Sequence, residues 1–196
     1  MVRWEPNARG RLQQAAMTLF YERGYDTVTV ADIAEHAGMT TRSYFNHFAD
    51  KPEVVFAALD TFAGDVADNL ASTGADQSAL DATVRAFARA AASLDQREQA
   101  RALRALIDTS AVLQERERTK MAAAAAVISN ALTEQGVSRR DAAFVAHTAT
   151  LIFTTAYDDW ANDPKTDLPS AIQAALASFR HALAASPELS QPSPTN

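Results

Sequence analysis

Between residues 28 and 48, apolar positions follow two short helical repeats that are separated by a glycine. The first repeat places apolar residues at i, i+3, i+4 and i+7, namely Val30, Ile33, Ala34 and Ala37. This period predicts a short helix with one apolar face. Thr29 precedes the repeat and Asp32 follows three residues later, a spacing typical of a capped helix start. Gly38 ends the helix, because glycine adopts positive φ at no steric cost.

The second repeat predicts another short helix directly after a tight turn. Met39 and Thr40 complete that turn, and Thr40 caps the new helix. Tyr44 and Phe48 lie one turn apart and are expected to point inward. The polar side chains left on the outer face are Thr41, Arg42, Ser43, Asn46 and His47. Such a set can reach base edges and phosphates in a major groove, so the pattern predicts a DNA-reading helix-turn-helix.

The same stretch carries a motif with several residues at fixed spacing: Ile33-Ala34-x-x-Ala37-Gly38-Met39-Thr40-x-x-Ser43-x-Phe45-x-x-Phe48-x-x-Lys51. This motif resembles the DNA-binding signature of the TetR family of transcriptional regulators, over roughly residues 9 to 60. The family usually carries tyrosine where this chain has Phe45, so Phe45 is expected to touch sugar or thymine methyl groups instead of donating a hydroxyl to phosphate.

From the motif and the resemblance together we predict one set of DNA-contacting residues. It comprises Thr29, Thr40, Thr41, Arg42, Ser43, Phe45, Asn46, His47 and Lys51. Lys51 follows Asp50, the expected cap of the next helix, so its ammonium is expected on a phosphate. Arg9 and Arg11, near the start of the first helix, indicate an ordinary solvated helix start more than a phosphate contact.

Helical periodicity continues through most of the chain, which predicts an all-α fold. Helices are expected at about residues 8–23, 51–70, 78–94, 96–107, 111–135, 138–160 and 170–183. We divide the chain into an N-terminal three-helix DNA-binding domain at 1–50, a helical effector-binding and dimerisation domain at 51–185, and a disordered proline-containing tail at 186–196. The alternating charges of residues 115–120 are expected to form a solvated helix face.

Composition agrees with a helical protein and limits its chemistry. The chain has 196 residues, 47% of them hydrophobic, only six glycines and no cysteine, so it has neither a disulfide nor a thiolate metal site. The net charge is −6, yet residues 1–51 contain equal numbers of basic and acidic residues, so the deficit lies in the rest of the chain. The N-terminus lacks the apolar segment of a secretory signal, and a cytoplasmic location is expected.

Enzyme signatures are missing from the sequence. No Gly-x-Ser-x-Gly, Gly-x-Gly-x-x-Gly, P-loop or His-Glu-x-x-His pattern occurs, and the four histidines lack ligand spacing. We therefore predict no enzyme activity, no metal and no cofactor. The alternative is a helical small-molecule or lipid carrier, or an enzyme, in which the N-terminal trihelix only packs. The outward polar set between residues 41 and 47 favours the DNA-binding regulator, since internal packing does not need it.

Two features of the C-terminal part predict partners. The segment 142–157 has no formally charged side chain, which indicates a helix buried on several sides but too short to span a membrane. With the helix at 170–183 it is expected to form a homodimer that presents two reading helices to a palindromic operator. A small, largely apolar effector is expected to release the DNA; its pocket is predicted to include Phe87, Leu106, Met121, Ile128, Phe144, His147, Leu151 and Trp160. The alternative is that these side chains, at helical spacing, only form core.

Overall fold

The computed structural model describes residues 7–72 and 78–185, and within these ranges it is helical throughout, without a strand. The described residues form nine α-helices in order: α1 Ala8–Arg23, α2 Val30–His36, α3 Thr41–Phe45, α4 Leu59–Ala71, α5 Ala79–Ala90, α6 Arg97–Asp108, α7 Ala111–Glu134, α8 Arg139–Asn162 and α9 Leu168–Ala184. The all-α prediction is confirmed. The segment 186–196, predicted to be disordered, lies outside the described residues. Within the described part of the chain, no helix is long and apolar enough to cross a membrane.

The helix starts follow the caps that the sequence predicts. Thr29 and Asp32 form a reciprocal capping box at α2, in which the Asp32 carboxylate accepts from the Thr29 amide at 2.8 Å. Ser78 and Ser138 accept from the amides of Asp81 and Asp141 at the starts of α5 and α8. Each cap satisfies an amide that the helix itself cannot, which typically contributes about 1 kcal/mol.

The first three helices enclose their own apolar core. Leu12, Leu19, Phe20, Ile33 and Tyr44 are at most 1% exposed. The same cluster continues beyond residue 50 through 54–57, and it takes in residues from α6 and the start of α7, namely Leu106, Ile107 and Leu113. A domain boundary after residue 57 therefore fits this packing better than the boundary predicted at residue 50.

The remaining helices form a second core around α8. This helix packs against α7 on one side and α9 and α5 on the others. Its Phe153 ring lies 4.9 Å from Phe87 of α5 and 5.0 Å from Phe62 of α4, measured between ring centroids. Aromatic pairs at this separation contribute about 0.5–1.5 kcal/mol beyond their buried area. The three rings therefore hold α4, α5 and α8 together.

The prediction of one continuous helix over residues 51–70 is wrong in its first part. Pro52–Val54 forms a single 3-10 turn, residues 55–58 continue as turns, and α4 begins at Leu59. The amides of Val55 and Phe56 bond three residues back, to Pro52 and Glu53, at 3.1 and 3.2 Å. Proline supplies no amide, and burial of residues 54–57 in the N-terminal core fixes the tighter winding.

Two other helix ends differ from their predicted places. The helix predicted to reach residue 94 ends at Ala90, followed by a 3-10 turn at Ala91–Ser93, so Leu94 is 40% exposed instead of buried. The last helix begins at Leu168, where the Asp167 side chain accepts from the Ser170 amide at 2.8 Å. Pro169 is accommodated there because the first helical turn has no amide partner for it to lose.

Candidate nucleic-acid interface

The predicted reading helix is present as α3, a helix of only five residues. The hydroxyl of Thr40 accepts from the Ser43 amide at 3.1 Å, as predicted for its cap. Gly38 has a φ of 67°, which allows the tight turn from α2. Phe48 is 1% exposed, as expected, but it lies beyond the helix end, just after the turn at residues 46 and 47.

Tyr44 anchors this short helix to the rest of the molecule. Its side chain is fully buried, its ring packs at 5.3 Å from that of Phe48, and its hydroxyl donates to the Asp50 carbonyl at 3.1 Å. Burial raises the pKa of the Tyr44 hydroxyl well above its usual range, so it stays protonated and able to donate. An inward tyrosine at this place fixes which side of α3 faces solvent.

The opposite side of α3 carries most of the predicted DNA contacts. Thr41, Arg42, Asn46 and His47 are exposed, and Phe45 is 54% exposed with its ring edge toward Tyr44. An accessible guanidinium in the first turn of such a helix can donate two hydrogen bonds to a guanine edge. An exposed phenyl ring suits contact with a thymine methyl or with sugar.

Three of the four predicted hydroxyl contacts, those of Thr29, Thr40 and Ser43, are already engaged in caps. Ser43 is partly buried, and its hydroxyl lies 3.0 Å from that of Thr40. The hydroxyl of Thr29 donates to the Asp32 carboxylate at 2.6 Å. These side chains set the positions of α2 and α3, and any contact they make with DNA has to share the same hydroxyl groups.

Lys51 is placed differently from the prediction of a free phosphate-binding ammonium. Its Nζ donates to the carbonyls of Tyr25 and Val28 at 2.9 and 3.0 Å, and it lies 4.0 Å from the centre of the Tyr25 ring. Burial lowers the pKa of Lys51. The ammonium thus joins the loop before α2 to the segment after α3, and two of its three donors serve the fold.

Two arginines of α1 also hold the helix-turn-helix in place. Arg11 donates to the Ala37 carbonyl at 2.5 Å, at the C-terminal end of α2. Arg9 donates to the Ala57 carbonyl at 3.2 Å and lies over the Phe48 ring. These contacts differ from the solvated helix start that the sequence indicates, because carbonyls of residues distant in sequence are brought beside α1.

A cluster of ion pairs joins the helix-turn-helix to the body, which sequence reasoning missed. Arg116 of α7 pairs with Glu53 at 3.0 Å and also with Asp50. Lys120, one turn further along α7, pairs with Glu53 at 2.5 Å and with Asp60 at 2.9 Å. Arg116 and Lys120 were expected on a solvated face. Their i, i+4 spacing, which places both on one side of α7, and the acids at 50, 53 and 60 could have indicated these ion pairs.

The predicted effector residues are spread over different environments among the described residues, so their grouping into one site stays a prediction. Phe87, Leu106 and Ile128 are buried core residues. Phe144, His147 and Leu151 face outward on α8, the first and last at 63% and 59% exposure. Trp160 is 3% exposed and lies 5.1 Å below the Arg97 guanidinium. The helical period alone could not tell which side of α8 faces the body.

A cavity of about 200 Å³ does lie inside the body, between the 55–59 segment and α4, α6, α7 and α8. Of the predicted residues, Met121 lines it. Its walls are largely aromatic and aliphatic, with Phe56, Phe62, Phe153 and Tyr157 among them. Burial, with a smaller contribution from the adjacent Asp158, raises the pKa of Tyr157 to about 12. A concave, mainly apolar site with few polar groups is the usual form of a small-molecule site.

The exposed side of α8 forms an apolar surface with α9. Besides Phe144 and Leu151 of α8, Leu183 of α9 is 72% exposed. Between the two helices lies a hollow of about 480 Å³, lined by residues that include Leu151, Thr155, Ala171, Ala174 and Ala175. Small residues along such a hollow allow the close approach of another helix.

Comparison with known proteins agrees with the helix-turn-helix geometry. The family described as bacterial regulatory proteins of the tetR family matches residues 12–58. The chain is 38% identical over 73 residues to the HTH-type transcriptional regulator TtgR of Pseudomonas putida, a match that covers 37% of this chain and 34% of TtgR. It is 44% identical over 54 residues to the HTH-type transcriptional repressor KstR2 of Mycobacterium tuberculosis, covering 28% and 27%. The matched part thus spans about a third or less of these relatives' length.

The likeness to solved structures extends over nearly the whole chain. NalD of Pseudomonas aeruginosa, described as the secondary repressor of the MexAB-OprM multidrug efflux pump, superposes with a TM-score of 0.57 at 19% identity. The superposition covers 89% of this chain and 96% of NalD. The fold and the N-terminal motif define a helix-turn-helix protein with a helical body. Its N-terminal part, residues 12–58, matches the family of bacterial regulatory proteins of the tetR family.

Proposed function

We propose that this protein is a dimeric DNA-binding transcriptional repressor that a small molecule releases from a palindromic operator. The observation that carries the proposal is the outer face of α3, where Arg42 is exposed on a helix held from behind by the buried Tyr44. Thr41, Phe45, Asn46 and His47 complete the reading face, with Thr29, Thr40 and Ser43 setting its geometry. Such a protein acts where the bacterial chromosome is, in the cytoplasm.

Repression is favoured because KstR2 and NalD are both described as repressors, whereas FasR of Mycolicibacterium smegmatis, 34% identical over 83 residues, is described as an activator. The alternative, a carrier or enzyme whose trihelix only packs, gives no reason for an exposed Arg42 and Asn46 beside an exposed Phe45. A protein that only binds small molecules gains nothing from polar groups projected away from its core.

A second copy of this chain is the proposed occupant of the α8 and α9 surface. Phe144, Leu151 and Leu183 would be covered by pairing of these helices into a four-helix bundle. The two α3 helices would then face DNA about one helical turn apart, or a multiple of it, which requires an operator with matching half-sites.

The inner cavity is the proposed effector site, and its position suggests how binding reaches the DNA. Val55 and Phe56 line the cavity and belong at the same time to the N-terminal core. Glu53, just before this segment, pairs with Arg116 and Lys120 of α7. The carbonyl of Asp50 accepts a hydrogen bond from the Tyr44 hydroxyl of α3. An effector that displaces the 55–59 segment therefore acts two contacts from α3. Coupling of this kind typically amounts to about 1–3 kcal/mol.

DNA binding is tested by footprinting on the intergenic DNA next to the gene, with affinity measured at several salt concentrations. We expect protection of a two-fold symmetric site and a steep fall of affinity with salt, because Lys and Arg contacts release counterions. Retention on heparin should show the same salt dependence. A protein that neither protects DNA nor binds heparin would be a carrier, contrary to the proposal.

A further inference from the structure

The inner cavity combines an aromatic wall with carboxylates at its edge. The ring centroids of Phe62 and Phe153 lie 5.0 Å apart, and those of Phe153 and Tyr157 lie 6.0 Å apart. Phe56 also lines the cavity. Aromatic faces carry negative potential and attract cations, quaternary ammonium groups in particular. The wall therefore suits an apolar ligand and tolerates a positive charge on it.

Asp158 of α8 adds a carboxylate without a partner. It lines the cavity and is partly buried, and none of the hydrogen bonds and ion pairs found in residues 7–72 and 78–185 ends on its side-chain oxygens. Burial raises the pKa of Asp158; the nearby Arg104 guanidinium opposes this shift, and the neighbouring acids add to it. A half-buried carboxylate that lacks a partner in the protein is stabilised by any cation placed beside it.

Among the described residues, Arg104 of α6 is the one basic side chain that lines the cavity, and it is already paired with acids. Its two terminal nitrogens donate to both oxygens of Glu117, at 2.7 and 3.0 Å, and its Nε donates to Asp108 at 3.2 Å. This two-pronged pairing raises the pKa of Arg104. Glu117 and Asp158 together outweigh Arg104, so the ionisable lining is net negative. An anionic ligand would meet a guanidinium with three of its five donors already engaged, and a repelling Asp158.

The carboxylate stands at the mouth of the cavity and not at its inner end. Arg104, Glu117, Met121, Thr154 and Asp158 line both the inner cavity and a shallower hollow on the surface of α7 and α8. A ligand entering from that hollow would keep its charged end beside Asp158 and put its apolar body against the aromatic wall. The volume of about 200 Å³ equals that of about seven water molecules at roughly 30 Å³ each, which limits the body to one or two rings.

We propose that the effector of this protein is a small organic cation, an ammonium group on an aromatic or branched alkyl body, held by Asp158 and the rings of Phe62, Phe153 and Tyr157. This inference rests on the proposed function only in taking the cavity as the effector site. It narrows the expected effector class from largely apolar molecules to apolar molecules that carry one positive charge.

Calorimetric titration with two matched probes tests the ligand class on the full chain. Phenyltrimethylammonium supplies the cation, and tert-butylbenzene is its neutral carbon isostere of nearly the same shape. We expect the cation to bind at least about tenfold more tightly than the isostere. Asp158→Asn should remove most of that preference and leave the isostere unaffected, whereas Asp159→Asn, the same change on the next and exposed residue, should preserve it.

Equal affinity for the two probes would overturn the inference and identify a neutral apolar effector. So would binding of neither probe, or loss of the cation preference in Asp159→Asn as much as in Asp158→Asn. Circular dichroism of both variants establishes that the fold is intact. Operator binding is measured separately: a protein that binds the cation but no DNA refutes the proposed function, and one that binds DNA but no cation refutes this inference.

Discussion

The guanidinium of Arg116, in the first half of α7, donates to the carboxylate of Glu53 at 3.0 Å, across 63 residues of sequence. Arg116 also contacts Asp50, whose other carboxylate oxygen accepts from the Glu53 amide at 3.0 Å. Because the Asp50 carbonyl in turn accepts from Tyr44, the reading helix is tied to the body through one aspartate. Any rearrangement of α7 relative to the 50–53 segment therefore bears on the position of α3.

Arg116→Ala should lower the free energy of unfolding by about 1–3 kcal/mol, because it leaves Asp50 and Glu53 without their guanidinium. The Arg116 and Glu53 side chains are only 27% and 16% exposed, so solvent screens the pair incompletely. Urea denaturation measures the loss. Arg118→Ala is the control: within the described residues Arg118 pairs with Glu115 at 66% and 69% exposure, and its removal should change stability by less than about 0.5 kcal/mol. Equal losses in the two variants would contradict a structural role for the buried pair.

Arg42→Ala should weaken binding to the operator by about 1–3 kcal/mol and relax one base position, because an exposed guanidinium in the first turn of α3 suits a guanine edge. Fluorescence anisotropy with a set of operators that carry single base changes measures both effects. Affinity for unrelated DNA should change much less than affinity for the operator. Unaltered base preference in the variant would show that Arg42 does not read sequence.

Lys51→Ala should destabilise the N-terminal domain by about 1.5–3 kcal/mol, because the Tyr25 and Val28 carbonyls lose a charged donor. The measurements are urea denaturation and the slope of log affinity against log salt for DNA. With two donors engaged in the fold, we expect the slope to stay the same. A slope reduced by about one, with uniform loss on all sequences, would instead support the phosphate contact predicted from the sequence.

Leu151→Arg should convert the proposed dimer to a monomer, because it places a charge in the middle of the apolar α8 surface, where Leu151 is 59% exposed in the single chain. Light scattering at micromolar concentration measures the molar mass and so distinguishes dimer from monomer. Val112→Arg is the matched control, since Val112 is 54% exposed at the start of α7, on a different helix. A wild-type chain that is already monomeric at that concentration would refute the α8 and α9 interface.

Asp158→Asn should raise the urea midpoint at pH 7 in the absence of ligand. Burial raises the pKa of Asp158 in the folded state, so the folded protein holds that proton more tightly than the unfolded chain does. Stability from this group is thus present below the ordinary pKa of 3.8 and falls as pH rises through the raised value. The increase in the urea midpoint of the variant over the wild type should shrink toward zero as pH is lowered to about 3.8. A gain that is independent of pH would mean that the carboxylate charge is not its cause.

The sequence by itself determined the helices and the helix-turn-helix. The caps at Thr29, Thr40, Ser78 and Ser138 are local, since each side chain reaches the amide three residues ahead. The inward direction of Tyr44 and the outward direction of Arg42 follow from the helical period in the same way. These features needed no knowledge of distant residues, and the family motif lies entirely within them.

Only the tertiary structure decided which charges pair and where the cavity lies. Glu53 and Arg116 are 63 residues apart, so nothing near either one in sequence distinguishes an ion pair from a solvated charge. The direction of Phe144 and Leu151 depended on which side of α8 its neighbours cover, and an all-round apolar helix carries no such information. That α4 begins only at Leu59 depended on the burial of residues 54–57 in the N-terminal core. Contacts between distant segments set all three, and a local pattern of side chains does not contain them.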